Sequence, residues 1–183
     1  MPELSDQEIL SLLQSEETLN QGFNQLVIKY RERIYWHVRR MVILHDDADD
    51  VLQNIFIKIF RNIKSFKGNS GLYTWIYRIS VNETITFLKQ KRTSYFLPLV
   101  DYESKLSNSL QDDHFFTGDE VQMILQKAIL TLPPRQRLVF NMKYFDEEMT
   151  FEELSKILDV SVGALKSSYH FAVKKIEKLI KTY

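Results

Sequence analysis

The stretch SVGALKSSYHFAVKKIEKLI, residues 161–180, carries the residue types that recognise nucleic acid. Coiled into a helix, it puts Leu165, Tyr169, Ala172, Ile176 and Leu179 on one face. Ser161, Val162, Ala164, Lys166, Ser167, Ser168, His170, Phe171, Lys174 and Lys175 are left for the first turn, the sides and the outer face. Hydroxyl and imidazole groups can hydrogen-bond base edges, a phenyl ring can touch a thymine methyl, and lysines neutralise phosphates. Arginine is absent from this stretch, so the bidentate forks that read guanine are absent too. An apolar-periodic segment over 151–158 and a tight turn at Asp159–Ser161 come just before it. Short helix, turn and longer helix make a helix-turn-helix pattern, whose second helix enters a major groove while the first crosses the backbone. The amides at the start of that second helix also suit a phosphate. A surface helix with a solvated basic face fits the same pattern equally well.

A second cluster, His45 with Asp46, Asp47, Asp49 and Asp50, has the ligand types of a metal site. Carboxylates this closely spaced at a helix start more often cap it and stay in water. Asp47 is the expected N-cap, and His37 is assigned to a helix surface. With no cysteine, the chain cannot build a disulfide framework, a thiolate zinc site or a cysteine nucleophile. It contains no P-loop, no nucleotide-binding glycine motif and no nucleophile–base pair. The expectation is a chain that is not an enzyme and uses neither cofactor nor metal.

The elements that must position these residues are helices. Among 183 residues only 5 are Gly and 4 are Pro, and no stretch alternates as a strand would. The predicted fold class is all-α, with two small helical domains joined by a flexible linker and a helix-turn-helix at the C-terminal end. Ser5 and Glu8 form a capping box for a first helix, and Thr150 and Glu153 one for the short helix of the motif. Thr117 and Glu120 match the same pattern. A long helix is expected from about Gly22 to Leu44, another after Asp47, and another from about Leu72 to Lys91. Pro133 must stop one helix, and Pro134 suits the first turn of the next. Residues 95–116 have no sustained period and suit a linker. Tyr95, Phe96, Leu97, Leu99, Phe115 and Phe116 make it too apolar for an inert spacer. The domain division is therefore 1–94, 95–116 and 117–183.

The 24 basic and 24 acidic residues cancel, but their distribution is uneven. Lys89, Lys91 and Arg92 close the first half, and Lys166, Lys174, Lys175, Lys178 and Lys181 close the second. Two basic helix ends in a neutral chain point to two nucleic-acid contacts. The acidic N-terminus does not resemble a signal peptide, and no apolar run approaches the roughly 18 residues of a membrane span. No membrane insertion and a cytoplasmic location are expected.

DADDVLQNIFIKIFRNIKSF followed by KGNSGLYTWIYRISVNETITFLKQKR resembles region two of bacterial extracytoplasmic-function (ECF) sigma factors. The matching residues are Asp47, Ala48, Asp50, Gln53, Phe56, Phe66, Gly68, Ser70, Thr74, Trp75, Tyr77, Arg78, Ile79, Asn82 and Leu88. LPPRQRLVF and MTFEELSKILDVSVGALKSSYHFAVKKI resemble region four of the same family. The resemblance implies a sigma factor that brings core RNA polymerase to promoters and helps open the −10 element. It implies polymerase binding by Asp50, Gln53, Asn54 and Phe56, with Asn54 standing where the family usually has glutamate. It implies −10 binding by Lys67, Asn69, Ser70, Tyr73, Arg78, Asn82 and Lys89. A short loop with small and amide side chains can hold an unstacked base, and a nearby aromatic can stack on it. Tyr73 is the aromatic candidate, whereas Trp75 falls on the core stripe with Ile79. The resemblance also implies −35 reading by the final helix, and core RNA polymerase, promoter DNA and an anti-sigma factor as partners. A polymerase-independent helix-turn-helix regulator is the alternative, and it leaves the first-half block unexplained.

Overall fold

The structure, a computed structural model, describes residues 4–94 and 120–181. The expected linker, with Phe96 and Phe115, and the Thr117 cap lie outside the described residues. No strand occurs among the described residues.

Ser5 opens α1 (Asp6–Gln14) with both halves of the predicted box: Oγ accepts from the Glu8 amide, and the Glu8 carboxylate accepts from the Ser5 amide. Helix α2 (Leu19–Val42) buries Leu26, Tyr30, Ile34, Val38 and Met41 along one stripe. Its N-terminal half lies close against α1. A Cβ built on Gly22 would sit 2.8 Å from Leu12 Cβ and 3.0 Å from the Leu12 carbonyl carbon and the Leu13 nitrogen. Backbone atoms cannot swing aside, so Gly22→Ala is expected to lower unfolding free energy by about 1–3 kcal/mol, measured by urea titration. A helix-propensity gain alone would give the opposite sign.

Ile43 ends α2 at φ 71°, an unusual conformation for a β-branched residue. Its side chain is fully buried, and that burial offsets the backbone strain. The chain then turns directly into α3 (His45–Asn62), three residues earlier than a cap at Asp47 would place it, with Leu44 at the N-cap position. Asp47 is an inward first-turn acid instead and pairs with Lys91 at 2.7 Å. A 3₁₀ turn at Ile63–Ser65 leads through the glycine loop to α4 (Leu72–Ser94). The four helices enclose a core that includes Ile9, Ile34, Ile55, Ile59 and Ile76.

The second group comprises α5 (Glu120–Leu130), α6 (Pro134–Tyr144), α7 (Phe151–Leu158) and α8 (Val162–Ile180). Pro134 occupies the first turn of α6, as expected. Thr150 and Glu153 form their capping box. Asp159 takes the left-handed conformation at φ 54°, which a short polar side chain tolerates and which makes the tight turn into α8. Ser161 caps α8 by accepting from the Ala164 amide. Ala128, Ile129, Leu132, Phe140, Ala172 and Ile176 make a core for α5, α6 and α8.

The two groups of helices pack together, α4 against α7 and α2 against α6. Met41, Tyr77 and Val81 of the first join Leu138, Met142, Met149, Leu154 and Leu165 of the second in one buried cluster. His37 lies in this region. It is buried under the Tyr77 ring, with centroids 5.8 Å apart, and is not a surface residue. The spacing Tyr30, Ile34, His37, Met41 carried that signal: these residues share one helix face.

Candidate nucleic-acid interface

Helix α8 displays most of the predicted reading residues. Ser161, Ala164, Lys166, Ser167, His170, Phe171, Lys174 and Lys175 are exposed, and Val162 and Ser168 are half-buried. Phe171 is 60% exposed, too wet for a packing residue. Opposite them, Leu165, Ala172 and Ile176 are buried, and Tyr169 lies between Phe140 and Phe151 with ring centroids 5.8 and 5.9 Å away. The amphipathic split expected from the spacing is therefore present. Lys175 is partly committed to the fold, since its Nζ donates to the Thr131 carbonyl at 3.1 Å.

On α4, Arg78, Asn82, Ile85 and Lys89 recur at four, three and four residues, which makes one stripe. Arg78, Asn82 and Lys89 are exposed. The loop before α4 presents Lys67 and Asn69, with Ser70 half-buried, around Gly68 at φ 71°. Tyr73 is separated from these. It points to the other side of α4, where its hydroxyl donates to Asp146 at 2.9 Å and its ring lies under the Arg33 guanidinium. Burial raises its phenol above the ordinary value, and nearby Tyr77 and Asp146 add to the rise. Tyr77 is pushed up to about 12, mainly by burial. Both phenols stay protonated and can donate to Asp146. Trp75 packs half-buried against the core and lies 5.3 Å from the Phe66 ring, as the core assignment expects.

Three members of the first-half cluster are engaged within the fold. His45 Nδ1 meets the Tyr35 hydroxyl at 2.7 Å, His45 Nε2 lies 3.3 Å from Asp49, and Asp47 is paired to α4. Among the described residues, no three His, Asp or Glu side chains are grouped so as to hold a metal ion.

Further along α3, Asp50, Gln53 and Asn54 are exposed, as expected of a docking face. Phe56 is half-buried with its ring edge-on to Phe23 at 6.4 Å. Ile57 and Phe60, 42% and 41% exposed, continue the outward face. With Phe23, Gln53, Phe56 and Arg61 they line a shallow groove of about 380 Å³. Sequence reasoning missed Ile57 and Phe60. The signal was the run IFIKIF, which holds more apolar residues than one buried stripe can take.

Residues 26–93 match the family model described as Sigma-70 region 2, and residues 122–176 match Sigma-70, region 4. The ECF RNA polymerase sigma factor SigW of Bacillus subtilis (strain 168) is 30% identical over 168 residues, covering 87% of this chain and 89% of the relative. The chain belongs to the ECF sigma factor family. The ECF RNA polymerase sigma-E factor of Escherichia coli (strain K12) is 28% identical, covering 97% of this sigma factor and 95% of its own length. Two solved structures share the fold. CnrH, in complex with the cytosolic domain of CnrY, superposes with a TM-score of 0.71 at 19% identity over 97% of both chains. The sigma factor RpoE in complex with the anti-sigma factor NepR from Bartonella quintana gives a TM-score of 0.66 at 19% identity, covering 88% of this sigma factor and 98% of that chain. Sigma factors are transcription initiation factors, not catalysts in themselves. No helix among the described residues is long and apolar enough to cross a membrane.

Proposed function

We propose that this sigma factor docks on core RNA polymerase through α3, holds the −10 element with the 66–71 loop and α4, and reads the −35 element with α8. Residues 1–94 act as the polymerase and −10 domain, 95–116 as the linker and 117–183 as the −35 domain. The observation that carries this reading is the outward display of three chemically different faces on the helices that the two family models span. One is apolar with amides (Gln53, Asn54, Ile57, Phe60), one is cationic with an amide (Arg78, Asn82, Lys89), and one mixes small, aromatic and lysine side chains on a helix-turn-helix. The first suits a protein groove. The second suits phosphates and an exposed strand. The third suits a major groove. Asp50 and Phe56 flank the docking face, and Lys67, Asn69 and Ser70 form the base-holding loop. Tyr73 lies away from the α4 stripe in this arrangement. An anti-sigma factor belongs to the same proposal, since the solved relatives were captured with the CnrY domain and NepR.

Footprinting with and without core polymerase tests the proposal. Promoter protection over both elements is expected only with core enzyme present. Equal, sequence-specific protection by the chain alone would favour the polymerase-independent regulator. With few forks available, the lysines of α8 are expected to act as phosphate anchors. Lys166→Gln and Lys174→Gln should each make the log–log salt slope of holoenzyme binding less steep by about 0.9 and weaken all promoters alike.

A further inference from the structure

A cavity of about 510 Å³ lies among α2, Tyr77 of α4, the end of α6 and the connection that follows it. None of the residues assigned above to polymerase or promoter contacts lines it. Its volume falls in the range of about 300–1,000 Å³ that holds small molecules.

Two side chains that line it keep a polar atom without a protein partner among the described residues, His37 Nε2 and Asn141 Oδ1. These residues are only 7% and 3% exposed, so each atom costs free energy until something in the cavity pairs it. Hydrogen bonding fixes the orientation of the Asn141 amide. Its Nδ2 donates to the Arg40 carbonyl at 3.4 Å and lies 3.3 Å from Met41 Sδ. The oxygen is left as an acceptor that calls for an N–H or O–H. Burial pushes His37 down to about 4, so its ring is neutral at pH 7 and one nitrogen donates while the other accepts.

The charges around the cavity are largely spent. Arg33 pairs with Asp146 at 2.7 Å and Glu148 at 3.0 Å, and Lys29 pairs with Asp6 at 2.9 Å. Among the described residues, Arg40 has no carboxylate partner, and neither Glu32 nor Glu147 has a cationic one. An anionic ligand would meet the acids, and a cationic one would meet Arg40, so the lining suits an uncharged ligand. The walls are flat. The Arg40 guanidinium lies 4.1 Å from the Phe145 ring centroid and 5.8 Å from that of Trp36. Bases stack on aromatic rings and on guanidinium planes alike.

We propose that this cavity binds a nucleoside whose base carries an exocyclic amine. The base stacks against Trp36 and Arg40, its amine donates to Asn141 Oδ1, and a ring nitrogen faces His37 Nε2. A carbonyl in place of the amine sets two acceptors against each other. A phosphate on the ribose adds charge beside Glu32, Glu147 and Glu148.

Trp36 and Trp75 are the two tryptophans of the chain. In the full chain carrying Trp75→Phe, Trp36 is therefore the only indole, and its emission reports stacking directly. Adenosine should quench it with a dissociation constant of about 0.1 mM, the affinity expected of a ligand this small. Inosine and adenosine 5′-monophosphate should each bind at least tenfold more weakly, and His37→Phe should weaken adenosine by at least the same factor. Glu32→Gln combined with Glu147→Gln, both at exposed positions, should tighten binding of the monophosphate about tenfold. Unquenched emission at a hundredfold higher adenosine would overturn the site, leaving the cavity to water alone. Equal binding of inosine, or unaltered adenosine affinity in His37→Phe, would overturn it as well. Should His37→Phe not fold, the glutamine pair decides, since an unchanged affinity for the monophosphate contradicts the charge argument.

Discussion

Ile57→Glu combined with Phe60→Glu is expected to weaken core polymerase binding at least a hundredfold while leaving the chain folded. The two side chains stand 42% and 41% exposed on α3, beside Gln53 and Asn54. Large apolar groups half out of water contribute little to the fold and gain more when a partner covers them. Glutamate reverses that gain, because docking would then bury an unpaired charge. A central contact of this kind typically carries about 2 kcal/mol or more, and two together exceed a hundredfold in affinity. Phe60 also meets the Phe23 ring at 4.8 Å, so a small drop in thermal midpoint is expected. Ile28→Glu is the control: Ile28 is 70% exposed on α2 and outside the docking groove, and the change should leave core affinity intact. Fluorescence titration with labelled core enzyme measures all three. Undiminished binding by the double variant would remove α3 from the docking surface.

Acidification is expected to destabilise the folded chain in part through His37. Burial holds His37 near pKa 4, with the Arg40 guanidinium lowering it further and the Asp146 carboxylate acting in the opposite direction. Tyr77 covers the ring from α4, and Asp146 faces it from the second domain. The folded value lies below the unfolded value of about 6.5, so protons bind the unfolded chain more tightly. Stability is therefore full above about pH 6.5 and falls as pH drops from there toward about 4. Between pH 7 and pH 5 the loss amounts to about 2 kcal/mol from this group. His37→Gln removes the titration but not the polarity. Urea unfolding at the two pH values should show the parent losing about 2 kcal/mol more than the variant. Equal losses would mean that His37 keeps its ordinary proton affinity in the fold.

Features set by a few neighbouring residues were legible. Ser5 with Glu8 and Thr150 with Glu153 form their boxes because a capping box spans only four residues. The amphipathic split of α8 follows from period alone. Asp47 was misplaced because the start of α3 depends on Ile43, whose positive φ turns the chain three residues earlier. That conformation is held by burial in the tertiary core, which no local motif encodes. The partner of Asp47 is Lys91, 44 positions along the chain. His37 was assigned to the surface by its chemistry, although its spacing with Ile34 and Met41 pointed inward.

The sequence by itself determined an all-helical chain, its two family blocks and the side chains that α8 displays. The helices and the display of α8 follow from residue period, capping pairs and turn chemistry, which act within a few residues, and the two blocks follow from their resemblance to the family. Tertiary structure decided the surroundings of the candidate site. It placed Tyr73 beneath Arg33 and against Asp146, engaged Arg78 with the backbone of α7, and brought Asn82 into one groove with Ala164 and Ser168. These contacts join residues 40 or more positions apart. They arise from complementary apolar faces and a shared carboxylate acceptor, whose fit exists only once both groups of helices have formed.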